Sequence, residues 1–379
     1  MTKPKTKMLG NLPRLVGLLS YSSRYLMLSL CLSLFGVLAV YSSSAAFMRY
    51  EFMQDSIILI RQSSYLGVGS LLMLITSKIP SDKWNKYSYW FLLLTFLLMA
   101  LVLIPGIGDL KYGARRWFRF LGIGFQPSEL LKFALILWMA SFISRKKKLL
   151  KNFSSGLLPA IIILGISGVF LILQPDFGTI VLISGVMLLM GFYGGMAIKH
   201  ILVGVSLLAV VSVVAILNNV NRMQRLISYL DPWADPTDSG FQLVNSLIAL
   251  GNGGILGRGI GNSLQKQYYL PFAHTDFIFA TIGEELGLVG VVAVVAGYIA
   301  LTFLGYRIAY FCRDAFAKNL VFGLTTLLSM QSLFHFGVVT GLLPTKGIGL
   351  PFISYGGSSL VVFLAMTGIV YRCGQENKM

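Results

Sequence analysis

Charged side chains are scarce in this sequence, and acidic ones are the scarcest. Only 12% of the 379 residues are charged, whereas 56% are hydrophobic, and the mean hydropathy is +0.76. Soluble domains carry roughly 25% charged residues. The composition therefore excludes an ordinary soluble protein and indicates one that crosses a membrane many times.

Cysteine is also rare, with three residues in the whole chain. Cys31, Cys312 and Cys373 fall in or beside separate apolar segments at unrelated spacings, so we interpret them as small apolar residues and not as a disulfide or metal set. The carboxylates show no metal-ligand spacing either. The sequence predicts no cofactor, and it leaves open whether a divalent cation such as Mg²⁺ takes part.

Long apolar runs fill most of the chain, and each can cross a hydrocarbon core of about 30 Å as a helix. The alternation typical of a β-barrel is not visible. The predicted fold class is therefore an all-α polytopic membrane protein with about ten transmembrane helices. The segments lie near residues 24–46, 56–77, 87–105, 126–144, 157–174, 177–196, 200–218, 282–309, 319–342 and 354–372.

The distribution of lysine and arginine predicts the orientation, because cytoplasmic loops carry the excess of basic residues. Most of them fall on one side if both termini are cytoplasmic, with tails at 1–23 and 373–379 and a transmembrane domain at 24–372. The basic run at 145–151 then faces anionic lipid, and we expect no nucleic-acid partner. The loop at 219–281, between spans 7 and 8, is predicted to lie outside.

A basic cluster on the outer side works against this orientation signal. Arg115 and Arg116 lie there with Lys111 and Arg119, in a loop rich in aromatic residues. An anionic partner would explain the cluster, and snorkelling of arginine at the membrane interface is the simpler alternative.

Two further outer motifs carry charge. Glu129 and Lys132 begin the next helix three residues apart, so they share a helical face and either form a structural pair or line a cavity. Asp176, in the QPDFGT stretch, is suited to capping the following helix.

The stretch from 231 to 290 cannot be a simple span. Its glycine-rich run at 251–261 follows no predicted strand, so we expect close backbone packing and not a nucleotide site. Residues 241–250 have helical spacing and are predicted to lie along the interface. The acidic stretch that follows leads into span 8.

His274, Asp276, Glu284 and Glu285 should lie together at a membrane mouth. Partial burial there raises the pKa of a carboxylate towards that of a general base. For Asp276 the alternative is a helix cap. For the two glutamates it is the balancing of Arg115, Arg116 or Lys132.

The last outer segment, 340–360, is rich in glycine and proline and contains Lys346 as its one cation. Irregular backbone is tolerated at membrane depth only where it is buried in protein or lines a cavity. We expect the outer segments to converge on a basic, carboxylate-containing cavity that opens sideways to lipid.

Several motifs of the chain belong together: GARRW with QPSELLK, QPDFGT, DPWADP, GNSLQKQYYLPFAHTDFIFATIGEELG and TKGIGLPFISYGGSS. Over roughly residues 24–372 they resemble the SEDS family (shape, elongation, division and sporulation), in family order and on one side of the membrane. DPWADP and GNSLQK are more similar to the division branch than to the elongation protein RodA.

The resemblance implies a peptidoglycan glycosyltransferase that polymerises lipid II at the outer leaflet of the bacterial cytoplasmic membrane, at the septum. Asp276 matches the essential aspartate of the family, Arg116 and Lys132 its functional basic positions, and Glu129 the acidic partner. Arg115, His274 and Lys346 are further candidates for substrate binding. The implied partners are a class B penicillin-binding protein, FtsQ, FtsL, FtsB and the activator FtsN.

The sequence also departs from the family pattern. Phe272 stands where a glutamate is usual, His335 replaces an asparagine, and Asn245 stands where glutamine is common. These differences put the lining of the cavity in doubt, not the reaction.

Two other functions fit the same charges. A flippase for the same lipid also needs a basic cavity open to the bilayer, although no inverted repeat is visible. A scaffold that only recruits division proteins would leave the converging charges unexplained.

Overall fold

The computed structural model describes residues 12–52, 56–111, 113–120, 123–266, 270 and 273–376. The all-α membrane fold is confirmed, because eight helical segments in this part of the chain are long and apolar enough to cross a membrane. These segments are Tyr21–Ser44, Ile57–Thr76, Pro127–Leu149, Phe153–Leu173, Ile198–Leu217, Ile278–Phe311, Ala315–Val339 and Gly357–Glu376.

Twelve α-helices and three short strands make up the described residues. The helices are α1 (Leu12–Phe52), α2 (Ile57–Thr76), α3 (Ser81–Leu101), α4 (Pro127–Lys146), α5 (Leu158–Leu173), α6 (Phe177–Gly194), α7 (Ile198–Leu217), α8 (Val220–Leu230), α9 (Phe241–Gly253), α10 (Ile278–Phe311), α11 (Ala315–Val339) and α12 (Gly357–Glu376). The strands are β1 (Asp109–Lys111), β2 (Ala114–Phe120) and β3 (Ile123–Phe125).

Two more helices, α3 and α6, run alongside the central helix α4. Asn85, near the start of α3, accepts a 2.8 Å hydrogen bond from Ser141, near the end of α4, so these two helices are antiparallel. Gly194, at the end of α6, packs against Ile143 at the same end of α4. By length and composition the described residues contain eight candidate spans, and α3 and α6 are two further helices beside them.

The loop between α3 and α4 folds into a small antiparallel sheet in the order β1-β2-β3. These strands were not predicted from the sequence. Arg115, Trp117 and Arg119 are two residues apart along β2, so they lie on one face of the strand. In the register Asp109 is opposite Trp117. The sheet places Arg115 and Arg116 on an ordered support beside the outer end of α4.

Helix α10 is broken at Gly287, where the backbone has φ 65° and ψ −162°. The carbonyls of Glu284 and Glu285 accept hydrogen bonds of 3.0 Å from the amides of Arg258 and Gly259. A side chain on Gly287 would overlap the backbone of the glycine-rich loop. The expected close backbone packing of that loop is therefore confirmed.

Residues 341–356, between α11 and α12, form irregular backbone that is held by buried side chains. His335 Nδ1 lies 2.9 Å from the carbonyl oxygen of Ile348, and Gln331 Nε2 donates to the carbonyl of Gly349 at 2.9 Å. The hydroxyl of Tyr298 donates to the carbonyl of Pro351. These bonds satisfy the loop from within the protein, as the sequence led us to expect.

Helix α9 forms where helical spacing was predicted. It packs against α10 and α11, with Leu243, Val244 and Ala249 buried. Ser246 donates a 2.8 Å hydrogen bond to the carbonyl of Val339. The helix therefore buries one face against the protein, and its position along the membrane interface stays a prediction.

We predict that Gly287→Ala destabilises the protein, because alanine is strained at this φ and ψ and its Cβ would overlap Gly257. Backbone strain of this kind costs about 1–3 kcal/mol before any overlap is counted. The measurement is the thermal unfolding midpoint of the purified protein in detergent. Gly165→Ala is the matched control, since a Cβ there meets no atom within 4 Å. Equal midpoints for the two variants would contradict the prediction.

Candidate functional site

The turn that carries Asp276 is fixed by the loop between α11 and α12. Tyr355 donates its backbone amide to the carbonyl of His274 at 2.9 Å, and Ser354 Oγ donates to the carbonyl of Thr275 at 2.7 Å. A Cβ on Gly347 would lie 3.0 Å from Asp276 Oδ2. Glycine at position 347 therefore leaves the carboxylate accessible beside an ordered loop.

Asp276 is partly buried, and this burial raises the pKa of its carboxyl to about 6. The positive charge of Arg225 opposes the shift. The cap position of α10 is Phe277, and no side chain caps that helix end. The carboxylate is therefore not used as a helix cap, and its pKa suits a general base near neutral pH.

Cations from two outer segments collect around Phe177, and Arg225 beside them acts on the charge of Asp276. Lys346 Nζ lies 4.9 Å from the ring centre of Phe177, and the guanidinium carbon of Arg222 lies 5.1 Å from the same centre. Burial lowers the pKa of Lys346, and Arg222 and Arg225 lower it further while Asp176 opposes them.

Arg222 and Arg225 were not predicted to belong to the site. Both lie in α8, three residues apart, so they share one face of that helix. This spacing indicates a shared face, but only the tertiary position of α8 brings that face to the site.

The QPDFGT stretch adjoins this cluster. Asp176 caps α6, because Oδ1 accepts from the Thr179 amide at 3.2 Å and Oδ2 from its hydroxyl at 2.9 Å, so the predicted cap is confirmed. Arg116 donates from Nε to the carbonyl of Gln174 and from Nη2 to that of Pro175 at 3.1 Å. The sheet is thereby joined to the start of α6.

Arg115 and His274, two further candidates for substrate binding, are both partly buried. The Nε of Arg115 is buried and has no hydrogen-bond partner among the described residues. His274 lies with its ring 5.7 Å from that of Tyr355, and burial lowers its pKa to about 4. His274 is therefore neutral at pH 7 and cannot supply charge to an anion.

Lys132 is almost completely buried, with 3% of its surface exposed. Its ammonium lies 2.9 Å from Glu129 Oε1 and donates to Gln331 Oε1, also at 2.9 Å. Gln331 in turn holds the carbonyl of Gly349. The Glu129–Lys132 pair thus supports the loop beside Asp276, and direct contact of either residue with substrate stays a prediction.

Glu284 and Glu285 do not balance Arg115, Arg116 or Lys132, as one alternative proposed. Glu284 accepts from the amides of Leu264 and Gln265 at 3.1 and 3.2 Å. Glu285 accepts from Ser42 Oγ and Lys266 Nζ, each at 2.7 Å. Both carboxylates therefore bond to the loop before Asp276: Glu284 through two backbone amides and Glu285 through the ammonium of Lys266.

The positions that depart from the family pattern have separate outcomes. His335 supports the carbonyl of Ile348, and its Nε2 is buried without a partner among the described residues. Asn245 donates to the carbonyl of Phe241 within α9 at 2.8 Å. Phe272 lies outside the described residues. In the part of the chain that the structure describes, no three His, Cys, Asp or Glu side chains come together as a metal site.

The family model of FtsW, RodA and SpoVE, described as a cell cycle protein, matches residues 23–379. This protein belongs to the SEDS family. A relative from Geobacter metallireducens, named a probable peptidoglycan glycosyltransferase FtsW, is 44% identical over 94% of this chain and 96% of its own. The stage V sporulation protein E of Bacillus subtilis is 37% identical over 93% and 96%.

Solved structures of SEDS proteins have the same fold. One is a chain of a peptidoglycan synthase complex that coordinates polymerization and crosslinking, with a TM-score of 0.77 and 29% identity over 93% of this chain and 97% of that one. The rod shape determining protein RodA of Thermus thermophilus has a TM-score of 0.69 and 26% identity over 93% and 96%. The resemblance found in the motifs is therefore confirmed at the level of the family.

We predict that Lys132→Met destabilises the protein by about 3–5 kcal/mol, because it leaves the carboxylate of Glu129 uncompensated in the interior. The double variant Glu129→Gln with Lys132→Met removes both charges and should recover most of this loss. Chemical denaturation of the four members of this double-mutant cycle measures the coupling. Additive effects of the two substitutions would mean that Glu129 and Lys132 do not stabilise each other in the folded protein.

Proposed function

We propose that this protein polymerises lipid II into glycan strands at the division septum, on the outer face of the bacterial cytoplasmic membrane, with Asp276 as general base. The FtsW relatives are named as probable peptidoglycan glycosyltransferases, and the chain is an enzyme of this type. The observation that carries the proposal is the carboxyl of Asp276, whose pKa burial raises to about 6 beside the charge of Arg225 and against Gly347, the neighbour of Lys346.

The reaction joins two lipid-linked sugars. The acceptor hydroxyl transfers its proton to the carboxylate of Asp276 as its oxygen attacks the anomeric carbon of the donor. The bond from that carbon to the donor diphosphate breaks, and the diphosphate leaves with the electron pair. A single displacement of this kind inverts the anomeric centre.

The leaving diphosphate gains negative charge as the bond breaks, so fixed cations beside it lower the barrier. Arg222, Arg225 and Lys346 come from two segments that adjoin Asp276. Burial also lowers the pKa of Lys346, which indicates that an anion at this position would be bound in a partly dry environment. We assign these three cations to the diphosphate, with Arg115 and Arg116 at the edge of the same region.

Lys132 and Glu129 act on Asp276 indirectly, through the loop at 341–356. The chain of bonds from Glu129 to Lys132, Gln331 and Gly349 holds the backbone that packs against Asp276. Loss of either charge would then move the base away from the acceptor hydroxyl.

The partners follow from the family. The similar synthase complex coordinates polymerization and crosslinking. We therefore propose a class B penicillin-binding protein as the partner of this chain, with FtsQ, FtsL, FtsB and FtsN as regulators in the division branch. An elongation role like that of RodA is the alternative.

A lipid II flippase is the second candidate function, because it would need the same basic cavity. Arg222, Arg225, Lys346 and Asp276 belong to the outer segments, whereas a flippase needs access to its substrate from both leaflets. This asymmetry favours the glycosyltransferase. Measurement of lipid movement and polymer formation in one reconstituted sample separates the two functions.

We predict that Asp276→Asn lowers the rate of glycan synthesis by about 10²–10⁴-fold, because the amide cannot accept the proton. The assay measures strand formation from lipid II by the purified variant with its penicillin-binding partner. An unchanged unfolding midpoint serves as the control for folding. Strands of normal length at a normal rate would refute the assignment of the base.

We predict an acid limb in the pH profile of kcat/KM, with an apparent pKa near 6. Asp276 is active as the carboxylate, so activity falls as the pH drops through this value. Arg225→Gln removes a charge that lowers the pKa, and the limb should therefore move to higher pH. Lys199→Gln, at the inner end of α7, is the matched control. A limb near pH 4, or one that Arg225→Gln leaves in place, would contradict the prediction.

A further inference from the structure

A groove lies between α3, α4 and α5, at the helix ends that are predicted to face the cytoplasm. Its volume is about 500 Å³, which falls in the range of small-molecule sites. None of the residues that surround Asp276 lines it, so the groove is separate from the site described above. Apart from Lys146, Ser154 and the hydroxyl of Tyr89, its wall is apolar.

The floor and the inner end of the groove are aromatic. Helix α4 forms the floor, where the rings of Trp138 and Phe142 stack with their centres 5.1 Å apart. Towards the middle of the bilayer the groove is closed by Phe96 of α3 and Phe170 of α5, whose ring centres are 5.9 Å apart. The groove therefore begins at the cytoplasmic edge of the bilayer and ends inside it.

The two side walls of the groove are open to the bilayer. Leu93 on α3 is 57% exposed and Ile162 on α5 is 52% exposed, although both line the groove. A lipid chain is as apolar as these side chains, so it can enter from the side without desolvating a polar group. The apolar part of the groove therefore fits an acyl chain better than a water-soluble ligand.

Lys146 is the charged residue of the wall. Its ammonium lies over the floor of the groove, 5.6 Å from the ring centre of Phe142. No described carboxylate forms a salt bridge with it, and the wall contains no acidic residue. Trp138 lies about 12 Å away along the axis of α4. A phosphate beside Lys146 would therefore stand at the edge of the bilayer while its chain covers the floor.

The surroundings of Lys146 favour a headgroup with net negative charge. Arg145 donates to the carbonyl of Asn85 at 2.8 Å, and its guanidinium carbon lies 5.4 Å from the ring centre of Tyr89, so it is fixed on α3 beside the groove. The basic run continues at 147–148. Basic side chains beside the cytoplasmic leaflet attract anionic lipids. A zwitterionic headgroup would bring an ammonium that finds no carboxylate on the wall.

We propose that this groove binds one anionic phospholipid of the inner leaflet, with its phosphate between Lys146 and Ser154 and one acyl chain over Trp138 and Phe142. The lipid fills the space that the protein leaves between α5 and the pair of α3 and α4. It thereby joins α5 to the inner end of α4, whose outer end supports the loop at 341–356. The site needs no step of the proposed reaction, so the two proposals can fail separately.

The test measures lipid binding by the full-length protein, purified in detergent and freed of co-purified lipid. Titration with dioleoyl phosphatidylglycerol or dioleoyl phosphatidylethanolamine, followed by native mass spectrometry, gives the affinity for the first bound lipid. We expect phosphatidylglycerol to bind at least about five-fold more tightly, the factor that one basic residue near an anionic headgroup contributes. Lys146→Gln should remove this preference, and Lys146→Arg should retain it.

Lys151→Gln is the matched control, because it removes the same charge from the same basic run at an exposed position outside the groove. It should leave the preference in place. The proposal is overturned if Lys151→Gln and Lys146→Gln weaken binding equally, because the basic run would then attract lipid without a built site. It is also overturned if phosphatidylethanolamine binds the wild type as tightly as phosphatidylglycerol.

A second pair of variants keeps every charge, so the test does not depend on the folding of Lys146→Gln. Ile162→Trp fills the groove, whereas Ile166→Trp places the same ring one turn further along α5, at an exposed position outside it. Phosphatidylglycerol should raise the thermal unfolding midpoint of the wild type and of Ile166→Trp but not that of Ile162→Trp, since a ligand stabilises the folded state only where it binds. Equal rises in all three proteins would contradict the site.

Discussion

The structure depends on one constraint, which is that irregular backbone at membrane depth must find its hydrogen bonds inside the protein. The loop at 341–356 meets this constraint with side chains from α10 and α11, above all Gln331 and His335. The break at Gly287 meets it by pairing the end of a half-helix with the glycine-rich loop. The turn of Asp276 is not part of a helix, and the loop at 341–356 holds it through the bonds of Ser354 and Tyr355.

The charges of the outer region divide into two groups with different roles. Lys132, Glu284 and Glu285 are buried and Glu129 is partly buried, and all four form bonds within the protein that hold the loops in place. Arg222, Arg225 and Lys346 have fewer bonds within the protein, and their charges act on Asp276 or on each other. A carboxylate with a raised pKa next to such cations is suited to remove a proton while a diphosphate is stabilised.

The membrane spans and the outer position of the polar segments could be predicted from the sequence, because long apolar runs and the polar stretches between them are local signals. The cap role of Asp176 could be predicted for the same reason. The partner of Glu285 could not, since Lys266 becomes its neighbour only through the folding of the loop before Asp276. Arg222 and Arg225 were missed because their approach to Asp276 depends on the tertiary position of α8. The burial of α9 likewise follows from packing that its helical spacing does not encode.

The central claim is that Asp276 removes a proton in the step that forms the glycosidic bond. The most direct test is the single-turnover rate of the first bond at saturating lipid II, measured beside the Kd of lipid II for the wild type and Asp276→Asn. The account predicts an unchanged Kd and a rate that is lower by about 10²–10⁴-fold. An unchanged rate, or a defect confined to Kd, would contradict it.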